Sequence, residues 1–482
     1  MQAPKHFTKL GRGCIITDVP LIDTFIKLSR AKETCQMKIL LIQPSGTVHR
    51  YRVGNFPKSL RYAPLTLTTL AALVPPELDI EVEICDEGVQ LVDFESRPDL
   101  IGITIITGTA PRGYAIADHF RRRGIPVVLG GVHATLLPEE AALHADSLVV
   151  GFGEETWPQL IRDFNNGQMQ QKYVALKSPS LVNYPIARRD LLKKEGYITT
   201  SSIWATRGCL NDCDFCSIPA TWGRNFYMRP IDEVVAEAAS LPGKEFVLLD
   251  PSPMEEPAYA KDLFRELKKI NKHWFGLSTT KIGEDPELMK IVGESGCKGL
   301  LIGFESVNQM SIGSIGKNHN SVNFYVDLVK RMHDHGMGVQ ACFVFGLDDD
   351  KPDIFKRTVD FCDKAYVDLP RFSTYTPFPN TGAYRKLAAE NRILTNNWSL
   401  YDVEHIVIQP KGMSVEQIQQ GLLWAWNHAY RLPSVAKRLL GSRTSTGFAI
   451  ALNIGYRAYA KRLGEMTNRI LQDDVNEGIP AA

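Results

Sequence analysis

Hydrophobic positions along the chain fall into two series of short apolar runs, followed by a longer helical pattern. In the first series, Ile39-Leu40-Leu41-Ile42 is an apolar run that stops at Pro44-Ser45-Gly46. Comparable runs lie at 80–84, 100–105, 126–129 and 147–150. Short apolar runs bounded by turn residues mark parallel strands covered on both faces. Helices are expected between them, around 65–75, 112–123, 138–144 and 156–165. Alternating strands and helices predict a doubly wound α/β sheet, which binds ligands at the carboxyl ends of its strands. Those ends are rich in glycine: Thr107-Gly108-Thr109, Gly130-Gly131-Val132-His133 and Gly151-Phe152-Gly153-Glu154. Glycine lets backbone amides approach a ligand closely.

The second series starts at Ile203-Trp204-Ala205-Thr206 and continues at 245–250, 275–279, 299–306, 339–346 and 372–375. Helical stretches near 230–240, 257–270, 285–294, 321–335 and 352–365 make about six strand–helix units. By analogy with closed barrels, functional residues are expected at the carboxyl ends of these strands. Between the two series, Ser178-Pro179-Ser180 and Tyr184-Pro185-Ile186 break the periodicity and read as a connector over 171–200. Residues 1–36 are an extension, with 19–28 either a short amphipathic helix or a partly ordered tail. Beyond 396 helices are expected near 414–431 and 445–463. In the second of these, Phe448, Ile450, Leu452, Ile454 and Tyr456 repeat every two residues, which is not a clean helical period.

The chemistry concentrates in one loop directly after the strand at 203–206. Cys209, Cys213 and Cys216 have the spacing Cys-x3-Cys-x2-Cys, which can aim three thiolates at one centre. Soft thiolates select zinc, copper(I) or an iron–sulfur cluster. Structural zinc wants four ligands, and the nearest other cysteines and histidines are Cys85, Cys297, His144 and His273. A [4Fe–4S] cluster also usually takes four cysteines, so three suggest a cluster with one iron left open.

Composition narrows the rest. Of 482 residues, 44% are hydrophobic and 23% charged, and basic residues exceed acidic ones by one, so bulk charge gives no reason to expect nucleic acid. The remaining cysteines are scattered, which favours a reducing compartment, here the cytoplasm. Neither a signal peptide nor an apolar run of membrane-spanning length is evident.

With the aromatic Phe215 before its last cysteine, the loop resembles the signature of the radical S-adenosylmethionine (radical SAM) superfamily. The first half resembles the cobalamin-binding domain that precedes the barrel in one large subgroup. The likeness is carried by Gly130-Gly131-x-His133-Ala134-Thr135, Gly151-x-Gly153-Glu154 and Tyr62-Ala63-Pro64-Leu65. That subgroup includes hopanoid and bacteriochlorophyll methylases and the anaerobic Mg-protoporphyrin ester cyclase. The resemblance implies a Rossmann-like cobalamin-type domain over 37–170, a linker over 171–200, a partial (β/α)6 TIM-type barrel over 201–395 and a helical region over 396–482. The implied cofactors are a [4Fe–4S] cluster on Cys209, Cys213 and Cys216, S-adenosylmethionine and cobalamin. One departure stands out: the Asp-x-His-x-x-Gly run whose histidine ligates cobalt in other cobalamin modules is missing. The first strand leads instead to Pro44-Ser45-Gly46-Thr47-Val48-His49, and no axial ligand is assigned. A scaffold that retains the fold without a corrin is the alternative.

Residue by residue, the resemblance implies that Gly346 lies where the adenine passes and that Phe215 contacts adenine, or else packs in the core. Asp250 and Ser252 stand where relatives contact the SAM amino group. Glu305 bonds a ribose or ammonium, or else forms a structural ion pair. Thr107, Gly130, Gly131, His133, Gly153 and Glu154 lie on the cobalamin side. Lys317 and His319 read as solvated, and Cys297, Cys342 and Cys362 as core. The basic residues Lys437, Arg438, Arg443, Arg457, Lys461 and Arg462 suit either peripheral membrane contact or an ordinary packing helix. The implied activity is methylation of an unactivated carbon. The alternatives are oxidative cyclisation or rearrangement, and a non-catalytic cobalamin or cluster sensor. The implied partners are a small molecule of polycyclic or lipid-like character and an electron donor such as flavodoxin or ferredoxin.

Overall fold

The computed structural model describes residues 36–46, 62–178, 180–442, 444, 446–470 and 475–480. The extension at 1–35, His49 and Arg443 lie outside the described residues. Two six-stranded sheets, both wholly parallel, dominate the fold. The first comprises β1 (Lys38–Gln43), β2 (Glu81–Asp86), β3 (Leu100–Thr104), β4 (Val127–Gly130), β5 (Ser147–Gly151) and β6 (Lys172–Ala175), in the order β2-β1-β3-β4-β5-β6. Helices cover both faces, and the sheet separates two apolar cores. β1 supplies Leu40 and Ile42 to one core and Ile39 and Leu41 to the other, which is why its apolar residues do not alternate with polar ones. Gly102 permits the close packing at the centre, since a Cβ there would lie 2.9 Å from Leu41 and 3.0 Å from Trp157.

β6 corrects the reading of 171–200 as connector throughout. It pairs with β5 from Leu148↔Lys172 to Gly151↔Ala175. It is a short edge strand in which only Tyr173 is buried, so it carries no apolar run to read.

The second sheet comprises β7 (Ser202–Ile203), β10 (Glu245–Leu248), β11 (His273–Ser278), β12 (Cys297–Glu305), β13 (Gly338–Phe345) and β14 (Leu369–Thr374), in the order β14-β13-β12-β11-β10-β7. This is the expected partial barrel. One set of side chains on each strand packs outward against the surrounding helices: Phe246, Trp274, Phe304, Phe343 and Phe372 all join one core. Trp274 stacks on Phe264 with centroids 4.9 Å apart, a geometry that adds about 1 kcal/mol beyond burial. The alternate residues face the concave side and are half-buried, among them Leu277, Leu301, Val344 and Arg371. A hairpin of β8 (Thr206–Gly208) and β9 (Phe226–Met228), antiparallel, carries the cysteine loop between its strands. Gly208, at φ +84°, is required there because a Cβ would lie 2.0 Å from the Asn225 carbonyl oxygen.

The C-terminal helices Val415–Ala429, Leu432–Ser442 and Thr446–Ile470 pack along the β14 side of the barrel. A Ser414–Gln417 capping box starts the first. Its Trp426 donates through Nε1 to the Phe372 carbonyl at 3.1 Å. Not all of the basic residues here form an outward face. Arg438 is fully buried and donates to Ala429, Ser434 and Asn453, and Arg457 donates to the Tyr430 carbonyl.

The carboxyl edges of the two sheets meet. The helix Val132–Leu136 after β4 lies against the helix Ser217–Trp222 after the cysteine loop. Phe152, just past β5, stacks near Trp222 and meets Tyr227 edge-on. Asn380 donates to the Leu136 carbonyl, and Gly108 fits against Tyr401, where a Cβ would lie 3.1 Å from the carbonyl oxygen.

Candidate functional site

Cys209, Cys213 and Cys216 are all free and partly accessible. The loop is held from several sides. Cys216 N–H donates to the Cys213 carbonyl at 3.1 Å. Asp214 N–H donates to Ile315, and Ala383 N–H to the Asp214 carbonyl. Asn211 donates through Nδ2 to Cys209 Sγ at 3.2 Å and to Glu255 at 2.9 Å, while Lys281 fixes its other end by donating to Oδ1 at 2.6 Å. Burial pushes the Cys213 thiol up to about 12 and raises that of Cys216, so a metal binding here must displace protons. Among the described residues no three His, Cys, Asp or Glu side chains are gathered closely enough for a single metal ion. Three separate soft donors on one loop, with a polar hydrogen bond already aimed at one sulfur, fit a multi-iron cluster.

The barrel strand ends surround this loop, with roles that differ from several expectations. Asp250 is wholly buried and accepts from Ala205 N–H at 3.1 Å, from Thr206 N–H, and from the Thr206 hydroxyl at 2.6 Å. Its carboxylate therefore pins the strand that begins the cysteine loop and is not free for an amino group. Two residues on, the Ser252 hydroxyl is buried without a hydrogen-bond partner among the described residues, an orphan polar atom of the kind a bound ligand satisfies. Glu305, at φ +63°, pairs with Lys317, and both are nearly buried. Lys317 is thus no solvated loop residue. His319 is likewise enclosed, with Nε2 buried and unpaired; burial first, then the Lys317 and Lys281 charges, push it down to about 4. Phe215 meets Tyr375 edge-on at 6.5 Å. Gly346 has φ +95°, and a Cβ there would lie 3.1 Å from Ile418.

On the first sheet's edge, Gly131 has φ +94°, and a Cβ would lie 2.7 Å from Thr104 Oγ1 and 2.8 Å from the Ile105 carbonyl oxygen. Gly130 and Gly153 are less constrained, with nearest atoms at 3.5 and 3.3 Å. His133 is fully buried, with Nδ1 3.3 Å from the Thr107 hydroxyl and Nε2 3.2 Å from Glu140. Glu140 also accepts from Tyr114 and Trp398. Burial lowers the His133 pKa despite Glu140. With both ring nitrogens engaged, His133 ties the β4 loop to the C-terminal segment and offers no nitrogen to cobalt. Glu154 ion-pairs with Arg207 and accepts from the Tyr184 hydroxyl at 3.0 Å, and its Oε2 is buried and unpaired. Arg207 stands two residues before Cys209 and lies over Trp204, 4.2 Å from the ring centroid. Open glycine backbone, an exposed Ile106 and the orphan Glu154 oxygen at one edge suit a large planar ligand held mainly by backbone and apolar contacts.

Comparison with known proteins agrees with this geometry. The family model described as the radical SAM superfamily matches residues 205–362, and the one described as the B12 binding domain matches 62–161. The bacteriochlorophyllide d C-12(1)-methyltransferase of Chlorobaculum tepidum is 30% identical over 421 residues, 85% of this chain and 91% of that protein. The chain belongs to the radical SAM superfamily. Within it, this radical SAM enzyme carries the additional B12 domain. The C-8(2)-methyltransferase of the same organism is 28% identical over 78% of this chain and 87% of its own length. Among solved structures, the radical SAM methyltransferase TsrM from Kitasatospora setae, with cobalamin and a [4Fe–4S] cluster bound, shares the fold at TM-score 0.63 and 16% identity, over 91% of this chain and 99% of its own. Membership brings a [4Fe–4S] cluster and S-adenosylmethionine as cofactors, and the B12 domain brings cobalamin.

Arg207 and Asn211 escaped the sequence reading and Lys317 was read there as solvated, because what marks all three is tertiary contact. Lys317 left one faint signal, a lysine behind a glycine twelve positions past a strand-end glutamate.

Proposed function

We propose that this radical SAM enzyme transfers a methyl group to an unactivated carbon of a small molecule. In this reading Cys209, Cys213 and Cys216 hold the cluster, and the loops at Thr107, Gly130, Gly131 and Gly153 cradle cobalamin. The observation that carries it is the meeting of the two carboxyl edges, which sets the glycine loops of the B12 domain against the cysteine loop. When bound, the cluster supplies the electron that cleaves S-adenosylmethionine to a hydrogen-abstracting radical, and cobalamin supplies a methyl carrier.

The chain's own residues then have distinct tasks. Asp250 fixes the start of the cysteine loop, and Asn211 donates to a cluster ligand. The unpaired Ser252 hydroxyl is available to the amino-acid part of S-adenosylmethionine, with Phe215 and the bare Gly346 beside the adenine. Glu305 enters the site as an ion pair with Lys317, not as a free acid. His133 orients the β4 loop, and Glu154 links that loop's neighbour to Arg207. An electron donor such as flavodoxin or ferredoxin, in a reducing compartment such as the cytoplasm, completes the system.

The test is an anaerobic reaction with iron, sulfide, cobalamin, a reductant, methyl-labelled S-adenosylmethionine and bacteriochlorophyllide d as trial substrate. Label on a product carbon together with 5′-deoxyadenosine is the expected result. Deoxyadenosine with an unlabelled product lighter by a pair of hydrogens would instead carry the cyclase reading. A loaded cluster that yields no deoxyadenosine would count against catalysis.

A further inference from the structure

Deep in the barrel, β14 turns Phe372 outward onto Trp426 and Arg371 inward, level with Cys342 of β13. Among the described residues the Arg371 guanidinium has no hydrogen bond or ion pair. Burial opposes its charge, while Tyr456, Cys342, Glu404 and Tyr459 around it hold its pKa above the ordinary arginine value. Yet those neighbours supply little negative charge. Burial pushes the Cys342 thiol up to about 12 and raises both phenols. Glu404, the carboxyl that acts on the guanidinium, is pushed up to about 7 by burial against the pull of Arg371, so it is only partly ionised at neutral pH. Its Oε1 accepts from Tyr459 at 2.7 Å, and its Oε2 is buried without a partner. Glu305 is neutralised by Lys317. A largely enclosed guanidinium whose counter-charge is only partial is costly, and its planar fork matches a carboxylate in two parallel hydrogen bonds.

The walls around it are apolar and aromatic. Leu277, Leu301 and Val344 face the same concave side, and Tyr62 of the B12 domain lies within electrostatic reach of Arg371 while 51% of its surface stays open. Arg371 is four residues before Tyr375, whose ring meets Phe215 of the cysteine loop. At the rise of an extended strand this separates them by about 13 Å, more than the amino-acid end of S-adenosylmethionine spans.

We propose that Arg371 is a substrate-binding residue that seats a carboxylate carried at one edge of a flat, mostly apolar polycyclic substrate. The carboxylate would sit deep in the barrel, and the reacting carbon would sit near the cysteine loop. This rests on the methyl-transfer reading above.

The test uses bacteriochlorophyllide d and its methyl ester as probes, with binding followed by pigment absorbance and tryptophan quenching and no reductant present. The proteins are the wild type, Arg371→Lys and Arg371→Gln, all with cluster and cobalamin loaded. Wild type is expected to bind the acid roughly tenfold to a hundredfold more tightly than the ester, the worth of a charge-assisted hydrogen bond. Arg371→Lys should keep part of that preference and Arg371→Gln should lose it. Equal binding of acid and ester by wild type, no binding of the acid, or a preference that survives Arg371→Gln would overturn the proposal. So would weaker binding of S-adenosylhomocysteine to Arg371→Gln, which would assign the guanidinium to the cosubstrate's carboxylate. The wild-type acid-to-ester ratio decides the matter even if a variant fails to fold. Wild-type formation of 5′-deoxyadenosine without pigment reports separately on the radical SAM reading.

Discussion

Replacing Asp250 by alanine tests whether that carboxyl serves the cysteine loop, and its effect should depend on pH. Removal strands the N–H groups of Ala205 and Thr206 in a fully buried place, since both donate to the Asp250 carboxylate. The Thr206 hydroxyl can turn elsewhere. Two stranded amides cost about 2–6 kcal/mol. Against this, burial raises the folded-state Asp250 pKa from 3.8 to about 6. Holding the group ionised at neutral pH therefore costs the wild type about 3 kcal/mol, at about 1.4 kcal/mol per unit. The sign follows from proton binding. The folded wild type binds this proton more tightly than the unfolded chain, so wild type gains stability as pH falls through 6 toward 4. The variant has no such gain. Its destabilisation should lie between about −1 and 3 kcal/mol near pH 8 and grow by up to about 3 kcal/mol near pH 4. Urea unfolding of the anaerobic apoproteins, read by tryptophan fluorescence, gives both differences, and all other titrating groups cancel between them. Iron bound after reconstitution at pH 8 should fall well below wild type even where stability changes little. A pH-independent difference together with normal iron loading would refute the reasoning.

Three further outcomes follow from the same contacts. Gly131→Ala should cost about 2–4 kcal/mol, because φ +94° and a 2.7 Å approach to Thr104 both oppose a side chain; Gly130→Ala, with nearest atoms at 3.5 Å, should cost under about 1 kcal/mol in the same thermal melts. Asn211→Ala removes an amide donor from Cys209 Sγ and should lower the cluster's reduction potential, by about 40 mV for a bond of about 1 kcal/mol, in a redox titration followed by electron paramagnetic resonance. Arg207→Ala leaves the Glu154 carboxylate, 7% exposed, without its cation; we expect a loss of about 2–3 kcal/mol and weaker cobalamin retention on gel filtration.

The strands were legible where burial on both faces wrote an apolar run into the chain, as at β1. β6 was not, because an edge strand of four residues with one buried side chain looks like the loop beside it. The cysteine loop was legible because cluster ligands must lie close in sequence to share one loop. The residues that hold it were only half legible. Asp250 stood out as an acid at a strand end, yet its hydrogen bonds run back to Ala205 and Thr206, which no spacing rule would connect. His133 belongs to a glycine-flanked motif, but its two bonds, to Thr107 and Glu140, depend on how three loops converge. Arg371 lies just before the run read at 372–375 and drew no reading there; only the fold places it inside β14, turned inward with no hydrogen-bond partner among the described residues.

Every step proposed above depends on three cysteines holding a cluster that cleaves S-adenosylmethionine. The most direct measurement is bound iron and sulfide beside 5′-deoxyadenosine formation, for wild type and for the variant with Cys209, Cys213 and Cys216 all replaced by alanine. Wild type should carry about four irons per chain and form deoxyadenosine under reducing conditions, and the variant should do neither. A triple variant that keeps its iron, or a fully loaded wild type that leaves S-adenosylmethionine intact with substrate and reductant present, would contradict that role for the cysteines.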